Sequence, residues 1–281
     1  MKVLITGAGG QLGSALQFTL RDHTLFPTAH AALDIVDRQR VLDAARTLRP
    51  DLIINAAAYN LVDKAETDQA AAFAANEIGP RNLAEAANDI DVPVIHVSTD
   101  YVFDGKLDRA YLEDDATNPL SVYARSKLAG EVAVRNAAKK HFIVRTAWVY
   151  HDTGRNFFRL MLALSEKGPV KVVDDQVSSP TYAPHLAAGI VQLFKTGAYG
   201  TYHLAGSGGG ASRYEQLTTF YKRIGLNAPV TPVPMSEFKQ AAARPKRTVL
   251  ESSRTPRVTL PDWRDGVAAF AESYQRAGRS V

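Results

Sequence analysis

The sequence predicts an α/β fold: a Rossmann-like, doubly wound parallel sheet with a smaller C-terminal substrate-binding α/β part. Three observations predict it. Short apolar runs recur through the first 150 residues, and they are continuous rather than alternating, as in strands buried on both faces of a parallel sheet. Ala-rich segments of helical period lie between them. A glycine-rich turn, Gly7-Ala8-Gly9-Gly10-Gln11-Leu12-Gly13, stands between the first run and the first helical segment.

In chain order the expected strands are 2–6, 24–28 (the weakest), 52–55, 94–98 and 142–146, and the expected helices are 12–20, 38–48, 69–87 and 121–138. After about Tyr150 the rhythm changes. Helical patterns at 156–166, 183–195, 214–224 and 265–277 are separated by Pro/Gly/Ser punctuation and brief strands such as 171–173 and 200–204. Residues 1–150 therefore read as a dinucleotide-binding domain and 151–281 as mainly substrate-binding, with a boundary that some later elements cross to extend the sheet. The run Gly206–Gly210 lacks the lysine of a phosphate loop, and Ser212-Arg213-Tyr214-Glu215 behind it is a capping box, so a turn opening a helix is expected there.

Composition narrows the function classes. Cysteine is absent from all 281 residues, which removes disulfides, zinc–thiolate sites, iron–sulfur clusters and thiol nucleophiles, and points to a cytoplasmic location. No apolar stretch is long enough for a membrane span, and the few apolar residues before Thr6 do not make a signal peptide. The net charge of +4 is spread thinly, without the dense basic face of a nucleic-acid binder. Only the stretch from Lys239 to Arg264 is notably cationic, and both a solvated surface and an anion-binding wall fit it. The seven histidines show no metal-ligand spacing, so no metal is expected.

The glycine turn is suited to a pyrophosphate: Gly7, Gly10 and Gly13 permit a tight turn, close backbone approach and tight helix–strand packing. Tyr123 and Lys127 are four apart on an expected helix, so phenol and ammonium share one face. A free tyrosine titrates near ~10. A neighbouring cation is expected to lower that value and bring proton transfer within reach. Thr99 closes the fourth strand, at the carboxyl edge where open α/β sheets bind ligands.

With this glycine spacing, Gly-x-x-Gly-x-x-Gly, and the Thr99, Tyr123, Lys127 set, the chain resembles the extended short-chain dehydrogenase/reductase family. The resemblance implies catalytic roles for Thr99, Tyr123 and Lys127. It implies cofactor contacts from Gly7, Gly10, Gln11, Leu12 and Gly13, from Asp34 and Ile35 near the adenine, from Ala57, Ala58, Tyr59 and Asn60, and again from Tyr123 and Lys127. Asn76 matches the family's structural asparagine. The string Ser98-Thr99-Asp100-Tyr101-Val102-Phe103, with Val62–Glu66, Arg145–Tyr150, Asp175–Thr181 and Ala243–Leu250, is similar to the branch that reduces 4-keto sugar nucleotides. Tyr101 stands where dehydratases carry a glutamate, which argues against water elimination.

The resemblance implies reduction of the C4 keto group of dTDP-4-dehydro-L-rhamnose as the expected reaction. Another sugar-nucleotide reductase or epimerase, or a non-catalytic nucleotide-binding partner protein, remains as the alternative. Substrate contacts are expected from Thr99, Asp100, Tyr101, Tyr123, Trp148, Asn156, Gln176 and Arg244. For Trp148 a core role stays open, and for Asn156 and Gln176 a capping role. The second strand ends Thr28-Ala29-His30 without a carboxylate to repel a 2′-phosphate, so NADPH is expected, with NADH as the alternative. Ala15 replaces a glutamate that helps some members bind magnesium between subunits. The resemblance therefore implies a monomer or a metal-independent homodimer.

Overall fold

A computed structural model describes residues 1–278; the last residues of the expected second part, 279–281, lie outside the described residues. The first half contains β1 (Lys2–Thr6), α1 (Gln11–Thr19), β2 (Thr24–Thr28), α2 (Arg38–Leu48), β3 (Leu52–Asn55), α3 (Val62–Ala65), α4 (Gln69–Phe73), α5 (Gly79–Asp89), β4 (Val94–Thr99), α6 (Val122–Ala137), β5 (His141–Thr146) and β6 (Val149–Tyr150). There follow α7 (Phe157–Ser165), β7 (Val170–Val173), β8 (Val177–Ser178), β9 (Thr181–Tyr182), α8 (Ala183–Thr196), β10 (Gly200–His203), β11 (Ala211–Ser212), α9 (Arg213–Ile224), β12 (Val230–Val233) and α10 (Trp263–Arg276).

The main sheet runs β10-β5-β4-β3-β1-β2 with every pairing parallel. Strand order reverses at β1, whose two neighbours are β2 and β3, so a crevice opens over the carboxyl ends of β1 and β3. One face is covered by α1 and α8 around Leu16, Leu186 and Ile190, the other by α2, α5 and α6 around Val41, Leu83 and Val134. The expected fold class is borne out. Two elements from beyond residue 150 complete this unit: β10 supplies the sixth strand, and α8 packs on α1. The remaining elements enclose a second, aromatic-rich core of Tyr150, Phe158, Phe220, Trp263 and Phe270.

Side-chain caps open five of the ten α-helices among the described residues. Asp37 accepts from the Arg40 N–H at 3.1 Å, Ser121 from Ala124 at 3.2 Å, and Ser212 with Glu215 closes the expected capping box. The stretch 69–87, read as one helix, is helical throughout, with a π-turn over Ala74–Ile78. Pro80 has no N–H to give the Asn76 carbonyl, which loosens that turn. The freed carbonyl faces α6, where a Cβ on Gly130 would stand 2.0 Å from it, so only glycine permits this helix contact.

Candidate active site

Two cavities meet at the crevice. The larger, about 430 Å³, is lined by Gly10, Gln11, Leu12, Ala58, Asn60, Thr99, Tyr123, Lys127 and Trp148, all expected there. The smaller, about 310 Å³, takes Gly7, Ile35 and Ala57 together with Gly10, Ala58 and Asn60. Gly7 has φ +71°, and a Cβ on it would meet the Ala56–Ala57 backbone at 2.5 Å. Gly13 lines neither cavity; it lets α1 pack on the loop, since its Cβ would stand 2.2 Å from the Gly7 carbonyl oxygen. The residues present fit a dinucleotide: the glycine cradle leaves no side chain over the crevice. Gln11 Oε1, Thr146 Oγ1 and Trp148 Nε1, on its lining, are buried without a hydrogen-bond partner.

At the carboxyl end of β4 three groups converge. Tyr123 is 9% exposed, Thr99 7% and Lys127 2%. Tyr123 lies near Asn60, whose Oδ1 is 3.5 Å from the phenol oxygen. Lys127 Nζ donates to the Val97 carbonyl at 2.7 Å. Thr99 Oγ1 donates to Asp100 Oδ1 at 3.1 Å and accepts from the Tyr101 N–H at 3.2 Å. Burial pushes the Tyr123 phenol well above its ordinary value; a hydrogen bond with Thr99 opposes the rise and Asp100 and Tyr101 add to it. This corrects the expected lowering by Lys127. The lysine ammonium is turned to a backbone carbonyl, and burial lowers it to about 8 against the opposing pull of Glu131.

Several expected contacts are engaged elsewhere and line neither cavity. Asp34 accepts from the Val36 N–H at 3.0 Å, closing its own turn. The Tyr59 phenol donates to Asp68 at 3.0 Å, while its backbone pairs with Asn76, which also reaches Ser126 and so keeps its expected structural role. Asp100 is buried and accepts from Ser178 at 2.8 Å and Thr248 at 2.5 Å, fastening β4 to the C-terminal part. Tyr101 packs edge-on against Tyr123 at 6.1 Å between centroids, and its hydroxyl accepts from Gln176 at 3.4 Å. Gln176 also donates to the Pro245 carbonyl at 3.2 Å. Asn156 is the N-cap of α7, accepting from Arg159 at 3.0 Å and donating to the His151 carbonyl at 2.7 Å. Arg244 forms a two-pronged bond to Asp63 at 2.6 and 2.9 Å. Trp148 sits at φ +43° on the cavity wall, with the Arg213 guanidinium 3.6 Å from its ring centroid. Ala15 is 2% exposed, in the core between α1 and α8.

The family described as "RmlD substrate binding domain" matches residues 1–276. The chain belongs to this RmlD family. A dTDP-4-dehydrorhamnose reductase of Sinorhizobium fredii is 37% identical over 296 residues, covering 100% of both chains. A solved dTDP-4-dehydrorhamnose reductase from Clostridium acetobutylicum superposes with a TM-score of 0.94 at 37% identity, over 98% of this chain and 100% of that one. Another, from Bacillus anthracis in complex with NADP, gives 0.92 at 37% identity, over 96% and 98%.

In this RmlD-family chain the sequence reading missed Val97, Ser98, Thr146, Ala147 and Val149 on the larger cavity. Thr146 was within reach of the strand-edge rule, since it ends β5 beside Thr99 of β4. Among the described residues no group of three or more His, Asp or Glu side chains is arranged to hold a metal ion, and no helix is long and apolar enough to cross a membrane.

Proposed function

We propose that the chain reduces the C4 keto group of dTDP-4-dehydro-L-rhamnose to give dTDP-L-rhamnose, with NADPH as reductant, for cell-surface polysaccharide synthesis. The observation that carries the reading is the convergence of Thr99, Tyr123 and Lys127 on a cavity continuous with the glycine turn, in a chain alike over its whole length to reductases of that name. The glycine turn, Ile35, Ala57, Ala58 and Asn60 would hold the dinucleotide, and Lys127 its nicotinamide ribose. When bound, that group supplies the hydride.

Tyr123 then gives its proton to the C4 oxygen. A phenol kept protonated by burial is the correct form for a donor, and reduction needs an acid here rather than a base. Thr99 spends its own proton on Asp100, and rotation of the hydroxyl frees it to donate to the oxygen as negative charge develops. Trp148 forms the wall against the deoxysugar. Arg244 takes the diphosphate by exchanging Asp63 for it, the bidentate geometry suiting either anion. The part after residue 150 thus serves the substrate, and the chain works in the cytoplasm as a monomer or metal-independent homodimer. Sedimentation velocity with and without a chelator checks the assembly; dissociation on chelation contradicts it.

Oxidation of NADPH, followed by absorbance across a panel of dTDP- and UDP-linked 4-keto sugars, tests the function. Turnover highest with dTDP-4-dehydro-L-rhamnose supports the reading. NADPH binding without turnover of any sugar overturns it in favour of a partner-protein role.

A further inference from the structure

The proton and hydride chemistry uses the seam between β4 and α6 through Thr99, Tyr123 and Lys127, but a carboxylate buried in that seam has no role in it. Glu131 follows Lys127 by one helical turn, so Tyr123, Lys127 and Glu131 share one face of α6. Three successive residues of β4 meet them. Thr99 lines the cavity beside Tyr123, the Val97 carbonyl accepts from Lys127 at 2.7 Å, and Ser98 Oγ donates to Glu131 Oε1 at 2.6 Å. Glu131 is fully buried. Its far side is closed by Arg145 of β5 through Nε–Oε1 at 2.9 Å and Nη2–Oε2 at 2.8 Å. From Arg145, β5 runs directly into Thr146, Ala147 and Trp148 on the opposite wall of the cavity. One carboxylate thus joins the three elements that carry the site.

A buried ion pair is a weak source of stability, because apolar side chains of equal volume do as well or better. Its presence beside a buried lysine calls for a reason that an apolar pair would not meet.

We propose that Glu131 is a positioning residue, which holds the Tyr123–Lys127 face of α6 in register with β4 and gives the Lys127 ammonium its counter-charge. The proposal rests on the reading above for the role of Lys127. Glu131 faces Arg145 from β5 and Arg135, at 3.4 Å, from its own helix. Lys127 faces His96 of β4, which burial keeps neutral and which pairs with Asn55. Behind Arg145 stand His203 of β10, kept neutral by burial at about 4, and the Glu113 carbonyl. Glu131 is therefore the carboxylate that acts on Lys127, and its pull opposes the burial that lowers the ammonium to about 8.

The test measures NADPH affinity by fluorescence, and turnover, as functions of pH in the wild type, Glu131→Gln, Glu131→Asp and the double variant Glu131→Gln/Arg145→Gln. In Glu131→Gln the alkaline limb of both profiles is expected to move about 1 pH unit lower, as the unsupported ammonium gives up its proton sooner, and Glu131→Asp returns it towards the wild type. If the lone buried guanidinium keeps the single variant from folding, the double variant is expected to move the limb in the same direction by a smaller amount, because it removes the opposing Arg145 charge as well. A folded Gln variant, single or double, whose limb coincides with that of the wild type overturns the proposal. The affinity arm needs no sugar, so it decides the matter even where the wild type reduces no 4-keto sugar, an outcome that would instead overturn the functional reading.

Discussion

The β4–α6 seam and the Asp63–Arg244 clasp hold the two ends of the site in opposite ways. The seam is buried, draws on one strand and one helix, and places Thr99, Tyr123 and Lys127 with little freedom. The clasp joins residues 181 positions apart, with an Asp63 side chain that is 48% exposed. It also fastens the backbone of Ala241 and Ala242 to the same carboxylate, at 3.0 Å each. Rigid burial suits proton transfer, which needs fixed geometry. A solvent-facing ion pair suits a wall that must exchange one anion for another. On the proposed function, chemistry and substrate capture fall to regions that should respond differently to substitution.

The largest expected difference comes from the seam. Tyr123→Phe should lower kcat by ~10²-fold or more, the scale of a lost general acid, with NADPH affinity nearly unchanged; steady-state kinetics beside a fluorescence titration checks both, and near-normal turnover would remove Tyr123 from its role. At the clasp, Arg244→Ala should act on KM instead, raising it ~10-fold or more for loss of a charged hydrogen bond to diphosphate while kcat changes little. A fall confined to kcat would erase the distinction between the two regions.

The smallest effect is on stability. Arg244 and the two backbone N–H groups hold Asp63 at about 2, below the usual ~3.9 of an unfolded aspartate. A carboxyl depressed in this way stabilises the fold above about pH 4 and loses that contribution as pH falls towards 2. Half-exposed, the pair is worth only ~0.5–1 kcal/mol after screening. Urea unfolding of Asp63→Asn should show that deficit at pH 7 and a narrower one near pH 3; a deficit that widens in acid contradicts the assignment.

The same contrast explains what the sequence disclosed. Tyr123 and Lys127 announce themselves because residues four apart share a helix face, and the strand-end rule places Thr99. Glu131 continues that spacing and was open to the same argument, but its partner Arg145 lies 14 positions further on, in a strand that no local spacing links to the helix. Asn156, Gln176 and Asp100 have the side chains of ligands, yet a helix cap and distant loops claim them first. Which polar group is already satisfied depends on contacts across the chain, and no local pattern reports it. The helix expected over 69–87 is present, and the π-turn within it went unread for a similar reason: Pro80 and the close approach of Gly130 act together across 50 residues, from the π-turn to α6. By contrast β1, β2, β3 and α2 fall where periodicity and caps put them.

The central claim is that this site moves hydride to C4 of a 4-keto deoxysugar while Tyr123 supplies the proton. Isotope transfer tests it most directly. NADPH carrying deuterium at the transferable position of its nicotinamide is incubated with the chain and dTDP-4-dehydro-L-rhamnose in ordinary water, and the sugar is analysed by NMR and mass spectrometry. The account predicts dTDP-L-rhamnose with one deuterium on C4 and none on the neighbouring carbons or oxygens. Oxidised cofactor without a labelled sugar, or product with C4 hydrogen drawn from water, would contradict it.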